Sequence, residues 1–244
     1  RGTPLHGPCT TNGDSMTASI HSATLLGIQG RLVTVAVDLT SQLPAIQVVG
    51  LPEAPVRELR ERVRSAIGAS GLPFVRKRVI VVLAPADLPK QSSNAFDLPV
   101  ALAMSQAMGG WKGGGNVFAV GELGFKGNVR PVRGVYAMVA AAKAAGHGTA
   151  IVPFENFCEA ALVPGITPIG VSTLLEAVEA AGRARGKKGR GIPFTPSCQP
   201  GAAPLKGATF ADMKKTKGWS PAALRTLATA VKTKRSILLV TPAG

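Results

Sequence analysis

Residues 121–146, GELGFKGNVRPVRGVYAMVAAAKAAG, decide the fold. An apolar stretch, residues 117–123, overlaps the beginning of this segment. It predicts a strand that runs into a glycine-rich turn at 124–128. Glycine and asparagine tolerate positive φ, so a tight turn between two apolar runs predicts a β-hairpin. The second strand, NVRPV, leads into an alanine-rich helix predicted over 134–145.

Apolar periodicity on both sides of the hairpin predicts further strands and helices. Alternation over 32–39 predicts a half-buried strand, and the uniformly apolar run at 79–88 predicts a central strand covered on both faces. Helical spacing of Val56, Leu59, Val63 and Ile67 predicts one apolar stripe. The other elements are a strand at 45–50, a helix to about Met108, strands at 149–153 and 167–171, and helices at 155–162 and 172–182. Together they predict an α+β domain with a mixed α/β sheet over residues 16–182.

The first helix carries two sets of charged residues. Three arginines lie together on one flank, and three glutamates are placed to pair with arginines about one turn further on. This pattern favours a salt-bridged surface. The alternative is a phosphate-binding face, which a nearby basic run supports. The residues are Arg57, Arg60 and Arg64, then Glu53, Glu58 and Glu61, and the run Arg76, Lys77 and Arg78.

Polar side chains precede two of the predicted helices. Ser92, Ser93 and Asn94 offer capping oxygens to the helix that ends near Met108, and Ser172 offers one to the last helix. Asp97 falls inside the apolar run. One interpretation is an acid that caps the helix or supports a functional residue, but a single carboxylate in a first helical turn usually interacts with the helix dipole.

The net charge of +15 is concentrated in the last quarter of the chain. Residues 1–182 hold 15 Lys/Arg and 12 Asp/Glu, whereas residues 183–244 hold 13 and one. A cationic segment attracts nucleic acid by counterion release, so Lys187, Lys188 and Arg190 are candidate nucleic-acid-binding residues. The alternative is a solvated linker that keeps neighbouring modules apart.

The cysteines, histidines and apolar runs exclude several classes. No CxxC pair is present and no histidine lies at metal-ligand spacing from a cysteine, which predicts ordinary thiols, no metal site and a cytoplasmic protein. The longest apolar runs are too short to cross a bilayer, so no membrane partner is expected. Residues 1–15 are predicted to be an expression leader or a disordered arm, with Met16 a natural start.

Five blocks of sequence carry a resemblance to a known family. They are VGLPEAPVRELRERVRSAI, VVLAPADLPK, FDLPVALA, GELGFKGNVRPVRGV and IVPFEN. In this order and spacing they resemble the N-terminal domain of the ComM/YifB family of magnesium-chelatase-like AAA+ proteins, rather than a true chelatase subunit. The resemblance implies a Lon-protease-like domain of the ribosomal-protein-type two-layer fold.

The same resemblance implies a function for a longer protein. Family members are expected to form a hexameric ring that uses ATP and Mg²⁺ as a DNA helicase or branch-migration factor in natural transformation and recombination. The expected partners are therefore DNA and further copies of the chain. Within this chain we expect no cofactor and no catalytic residue.

A peptidase is the alternative that a Lon-like domain raises. Such peptidases need a serine activated by a lysine, and the resemblance places Asn94 and Tyr136 at those two positions. A shifted dyad of Ser93 and Lys143 is conceivable, and a pairing of Cys158 with His147 is weaker still. A stand-alone protein-interaction module is the remaining alternative.

Composition changes sharply after the domain. Residues 183–207 are rich in glycine, proline and positive charge and predict a linker. The resemblance identifies residues 208–244 as the start of a P-loop AAA+ ATPase domain. Its last four residues, Thr241, Pro242, Ala243 and Gly244, resemble the first half of a phosphate-binding loop and are candidate nucleotide-binding residues.

Overall fold

The computed structural model describes residues 18–183, except 75, 76, 87, 89–92 and 113–116. The predictions for the leader at 1–15, for Arg76, and for the linker and ATPase start at 184–244 lie outside the described residues. The strands are β1 (Ala18–Leu26), β2 (Gln29–Thr40), β3 (Ala45–Val49), β4 (Arg78–Ala84), β5 (Glu122–Leu123), β6 (Val129–Arg130), β7 (Thr149–Pro153) and β8 (Thr167–Val171). The helices are α1 (Glu53–Ala69), α2 (Asp97–Ala107), α3 (Val135–Ala144), α4 (Phe157–Ala161) and α5 (Leu174–Arg183), and short 3₁₀ turns cover Ser93–Phe96 and Phe154–Asn156.

A four-stranded mixed sheet forms the centre of the domain, in the order β1-β2-β4-β3. β2 is antiparallel to β1 and β4, while β3 is parallel to β4. The parallel pair arises because α1 connects β3 to β4, as parallel strands need a crossover connection. This arrangement confirms the predicted α+β class with a mixed sheet.

Single bridges extend the sheet beyond β1. His21 pairs with Phe118 and Ala119 pairs with Ile151, which places the segment 117–120 between β1 and β7. β7 in turn pairs in parallel with β8. The predicted strand at 117–123 is thus divided, because its first half joins the large sheet and its end forms the separate β5–β6 hairpin.

Helices cover both faces of one half of this sheet. The buried side chains of α1, α2 and α5 form one core with Val33, Val35, Val37 and their neighbours. Those of α3 and α4 form a second core with Phe118, Val120 and the alternate residues of β1 and β7. α3 approaches β2 so closely that a Cβ on Gly30 would meet the carbonyl group of Ala137.

The other half of the sheet is covered on one face. Val81 and Leu83 of β4 are buried under the helices, but Val82 is 38% exposed and the neighbouring Val49 of β3 is 44% exposed. The prediction that β4 is covered on both faces is therefore wrong, because an apolar run does not report which face the helices occupy. A two-layer arrangement describes this half of the sheet, and a three-layer arrangement describes the half around β1 and β7.

Candidate functional site

The β5–β6 hairpin turns through a three-residue loop. Gly124 N–H donates to the Asn128 carbonyl at 2.9 Å, and Gly127 N–H donates to the Gly124 carbonyl at 3.0 Å. Gly127 has φ of +81°, which suits glycine at the last position of such a loop. The predicted hairpin and its glycine-rich turn are confirmed.

A polar cluster lies where α1, α2 and this hairpin meet. Arg62 of α1 holds Asp97 with two bonds, Nε to Oδ2 at 2.6 Å and Nη2 to Oδ1 at 3.2 Å. Arg62 Nη2 also donates to Asn94 Oδ1 at 3.3 Å, and Asn94 Nδ2 donates to Glu122 Oε2 at 3.1 Å. Arg130 completes the set through a looser ion pair with Glu122 at 3.7 Å. We call these five residues the Arg62 cluster.

Asp97 is the buried centre of the cluster, with its side chain fully removed from solvent. Its Oδ2 atom accepts a second bond from the backbone N–H of Leu123 at 3.2 Å, which ties β5 to α2. Burial raises the pKa of Asp97 to about 6, and the hydrogen bond and charge of Arg62 only partly oppose that rise. A bidentate guanidinium with a backbone donor is the environment in which a buried carboxylate is tolerated.

The roles predicted for the start of α2 are corrected by this arrangement. The residue before α2 is Phe96 and no described side chain caps the helix, because a 3₁₀ turn precedes it and Asn94 turns to Arg62 and Glu122 instead. Asp97 serves Arg62 and Leu123 rather than the helix dipole alone. Ser92 lies outside the described residues.

The cap predicted for α5 is also wrong by one residue. Thr173 Oγ1 accepts from the N–H of Glu176, and the Glu176 carboxylate accepts from the N–H of Ser172. Thr173 is thus the capping side chain, and the pattern differs from a capping box in that the glutamate binds the N–H of the residue before the cap.

No nucleophile with an activating base is found among the candidates for a peptidase. Asn94 is held in the Arg62 cluster, and Tyr136 is 47% exposed on α3. Ser93 lies in the 3₁₀ turn before α2, whereas the end of the Lys143 side chain lies beside Gly165. Within the part of the chain that the structure describes, Ser93 and Lys143 are not joined by a hydrogen bond.

The pairing of Cys158 with His147 is not formed either. Cys158 is disulfide-bonded, so the prediction of an ordinary thiol is wrong for this residue. The His147 ring packs edge-on against His21, with centroids 4.9 Å apart, and lies 5.8 Å from Phe118. Burial and the nearby His147 lower the pKa of His21.

The predicted basic residues separate into free and engaged side chains. Arg57 and Arg64 are exposed and have no ion pair within the described ranges. Arg60 donates to the Ile46 carbonyl at 3.3 Å, and Arg78 donates to Gln42 and Gln47 at 2.6 and 2.7 Å. Lys77 is half-buried. Arg76, Lys187, Lys188 and Arg190 lie outside the described residues.

Of the three glutamates predicted to pair with arginines on α1, one does so in the described part of the chain. Glu58 pairs with Arg62 at 3.2 Å. For Glu53 and Glu61 the prediction is wrong, since neither pairs with an arginine among the residues that the structure describes.

Arg62, Glu122 and Arg130 were not among the predicted site residues. The available signal was Asp97, a carboxylate inside an apolar helical run, which needs a buried cation or several donors. Its partner lies 35 residues away on another helix, and nothing in the local pattern of α1 distinguishes Arg62 from its neighbours.

Metal sites and membrane-spanning helices are both absent from the residues that the structure describes. No group of three or more His, Cys, Asp or Glu side chains that could hold a metal ion is found between residues 18 and 183, outside the gaps given above. In the same ranges, each helix is too short or too polar to cross a membrane.

Comparison with known proteins gives consistent matches over the same domain. Residues 35–156 match the family model described as subunit ChlI of Mg-chelatase. An uncharacterised protein of Mycobacterium tuberculosis is 41% identical over 155 residues, which cover 63% of this chain and 31% of that protein.

Two further relatives carry names. The uncharacterised protein YifB of Salmonella typhimurium is 40% identical over 149 residues, covering 60% of this chain and 29% of its own. The competence protein ComM of Haemophilus influenzae is 36% identical over 164 residues, covering 66% and 32%. The chain thus spans about a third of the length of these curated relatives.

Proposed function

The chain belongs to the magnesium-chelatase-like family that includes ComM and YifB, and from this membership we propose that it forms the noncatalytic N-terminal part of an AAA+ ATPase that acts on DNA. In this proposal the longer protein is a hexameric, ATP- and Mg²⁺-dependent helicase that moves branched DNA during transformation and recombination. The domain described above, which we propose to be Lon-like, guides DNA or supports assembly of the ring.

The observation that carries this proposal is the family match over residues 35–156. These residues contain α1, the Arg62 cluster, the β5–β6 hairpin and α3. Arg57 and Arg64 are exposed and form no ion pair among the described residues, and this supports a contact with phosphate, because such a guanidinium can neutralise a phosphate without breaking an ion pair.

The side chains at the peptidase positions support a noncatalytic role. An amide at Asn94 cannot act as an activated nucleophile, and a phenol at Tyr136 does not replace a lysine base. The polar groups of Arg62, Asp97, Asn94 and Glu122 are engaged with one another, so their contribution is to fix α1, α2 and the hairpin in one arrangement.

The chemistry of ATP hydrolysis is expected in a P-loop module. There, backbone N–H groups and a lysine hold the phosphates while a Ser or Thr hydroxyl holds Mg²⁺. Thr241, Pro242, Ala243 and Gly244, which resemble the beginning of such a loop, lie outside the described residues, so no step is assigned to them.

The full-length gene product tests the proposal directly. We expect it to hydrolyse ATP only when Mg²⁺ is present, faster with branched DNA than without DNA, and to separate the arms of a labelled four-way junction. The 244-residue chain should bind DNA without hydrolysing ATP. If the full-length protein shows neither ATP hydrolysis nor strand separation on any DNA, the proposal is wrong.

A further inference from the structure

The tip of the β5–β6 hairpin presents an aromatic ring to solvent. Phe125 and Lys126 occupy the two corners of the loop, and Phe125 is 61% exposed. A single exposed apolar side chain is ordinary on a protein surface, so Phe125 indicates a ligand only together with the charges beside it. The residues beside it in the loop are glycine, lysine and asparagine, so the ring stands alone rather than within an apolar patch of the loop.

The hairpin is held in place by α2 and by the segment 172–174. Its Leu123 N–H is bound by Asp97. The Gly127 carbonyl accepts from Leu174 N–H at 2.8 Å, and Val129 N–H donates to the Ser172 carbonyl at 2.8 Å. A loop that is ordered before it meets a ligand loses little conformational entropy on binding. The backbone that carries Phe125 is therefore fixed.

The segment that contains the hairpin tip is basic. From residue 122 to residue 154 the sequence holds Lys126, Arg130, Arg133 and Lys143 against a single acid, Glu122. Arg130 is 55% exposed and its pair with Glu122 is loose at 3.7 Å, so its guanidinium can turn to another anion. An exposed ring beside cations is the combination that binds unpaired nucleotides, with the base stacked and the phosphates neutralised.

We propose that the hairpin tip is a stacking site for single-stranded nucleic acid, in which Phe125 stacks on an unpaired base while Lys126 and Arg130 contact the adjoining phosphates. This inference rests on the proposed function, since it names the surface and the form of DNA that the domain contacts. A protein partner is less favoured, because apolar interfaces centre on contiguous apolar surface rather than on one ring between glycine and lysine.

Fluorescence anisotropy of the 244-residue chain with a labelled oligothymidylate tests the site. Phe125→Ala should weaken binding about tenfold, and Phe125→Trp should bind as the parent chain does. Added oligothymidylate should also quench the extra tryptophan fluorescence of Phe125→Trp relative to the parent. The slope of log affinity against log salt is negative, and Lys126→Ala should make it shallower by about 0.7. Phe125→Ala should leave the slope unchanged.

Tyr136→Ala is the matched control. Tyr136 is also exposed, but its backbone N–H donates to the carboxylate of Glu159. This negative charge disfavours the binding of a phosphate nearby. The Tyr136→Ala variant should bind oligothymidylate as the parent chain does. If the parent binds and Phe125→Ala binds equally well, the stacking site is wrong while the proposed DNA role stands. If Phe125→Ala instead reduces self-association in sedimentation, the tip is a protein contact. If the parent binds no DNA at all, the stacking site is wrong and the domain keeps only the assembly role in the proposed function.

Discussion

The two flanks of α1 carry arginines in opposite situations. On one flank Arg62 is 13% exposed, holds the buried Asp97 and joins the helix to α2 and the hairpin. On the other, Arg57 and Arg64 extend into solvent without an ion pair among the described residues. Arg60 lies between these extremes, with one bond to the β3 backbone.

The difference between the flanks comes from what packs beside the helix. The hairpin turn rests against the end of α1, where a Cβ on Gly127 would lie 2.5 Å from Ser70 Oγ. Water is excluded there, so the attraction between charges is strong. On the flank of Arg57 and Arg64, which we call the open flank, solvent screens the charges. One residue type in one helix is thus structural on one side and available for a ligand on the other.

Removing Arg62 should give the largest effect. Arg62→Met removes the charge and hydrogen bonds that oppose the rise in the pKa of Asp97, so the buried carboxyl must take up a proton at pH 7, with only the Leu123 N–H left as a donor. The substitution should cost about 3–5 kcal/mol in the free energy of unfolding. Arg57→Met, on the open flank, should change it by less than about 0.5 kcal/mol. Urea denaturation measures both. Similar values for the two variants would abolish the contrast between the flanks.

The protonation of Asp97 should give the next largest effect. Its pKa of about 6 in the folded protein lies above its ordinary value of 3.8, so the folded state binds the proton more tightly. This contribution to stability is fully present below about pH 4 and is lost as the pH rises through about 6, for a total of about 3 kcal/mol. Asp97→Asn should remove that part of the pH dependence. Urea denaturation from pH 4 to pH 7 compares the slopes, and equal slopes in parent and variant would contradict the assignment to Asp97.

Alanine substitutions at two glycines, one on each side of α1, test how closely each side is packed. Gly127→Ala should cost about 1–3 kcal/mol, because φ is +81° and the new Cβ would collide with Ser70 Oγ. Gly68, in α1, has open space around its Cα, so Gly68→Ala should raise stability by about 0.5–1 kcal/mol. Thermal unfolding of the two variants measures both shifts. A loss of stability in Gly68→Ala would show that this side of α1 is packed.

Local patterns explain which parts of this structure could be predicted. The stripe of Val56, Leu59, Val63 and Ile67 repeats at helical spacing, and glycines mark the hairpin turn, so both were predictable. The Arg62–Asp97 pair joins residues far apart in sequence, and only the packing of α1 against α2 creates it. The same holds for β4, whose apolar run was compatible with one or two covered faces.

The smallest effect on stability, and the one closest to function, is expected on the open flank. Arg57→Ala and Arg64→Ala should each leave the free energy of unfolding within about 0.5 kcal/mol of the parent. If each arginine contacts one phosphate of duplex DNA, each variant should make the negative slope of log affinity against log salt shallower by about 0.9.

The control for these variants must remove the same charge elsewhere. Arg31 is exposed on β2, where its guanidinium donates to Gln29, so Arg31→Ala changes the net charge equally without touching α1. We expect its slope to match that of the parent. Equal changes in all three variants would mean that DNA responds to the overall charge of the domain, and the open flank of α1 would then have no specific part in binding.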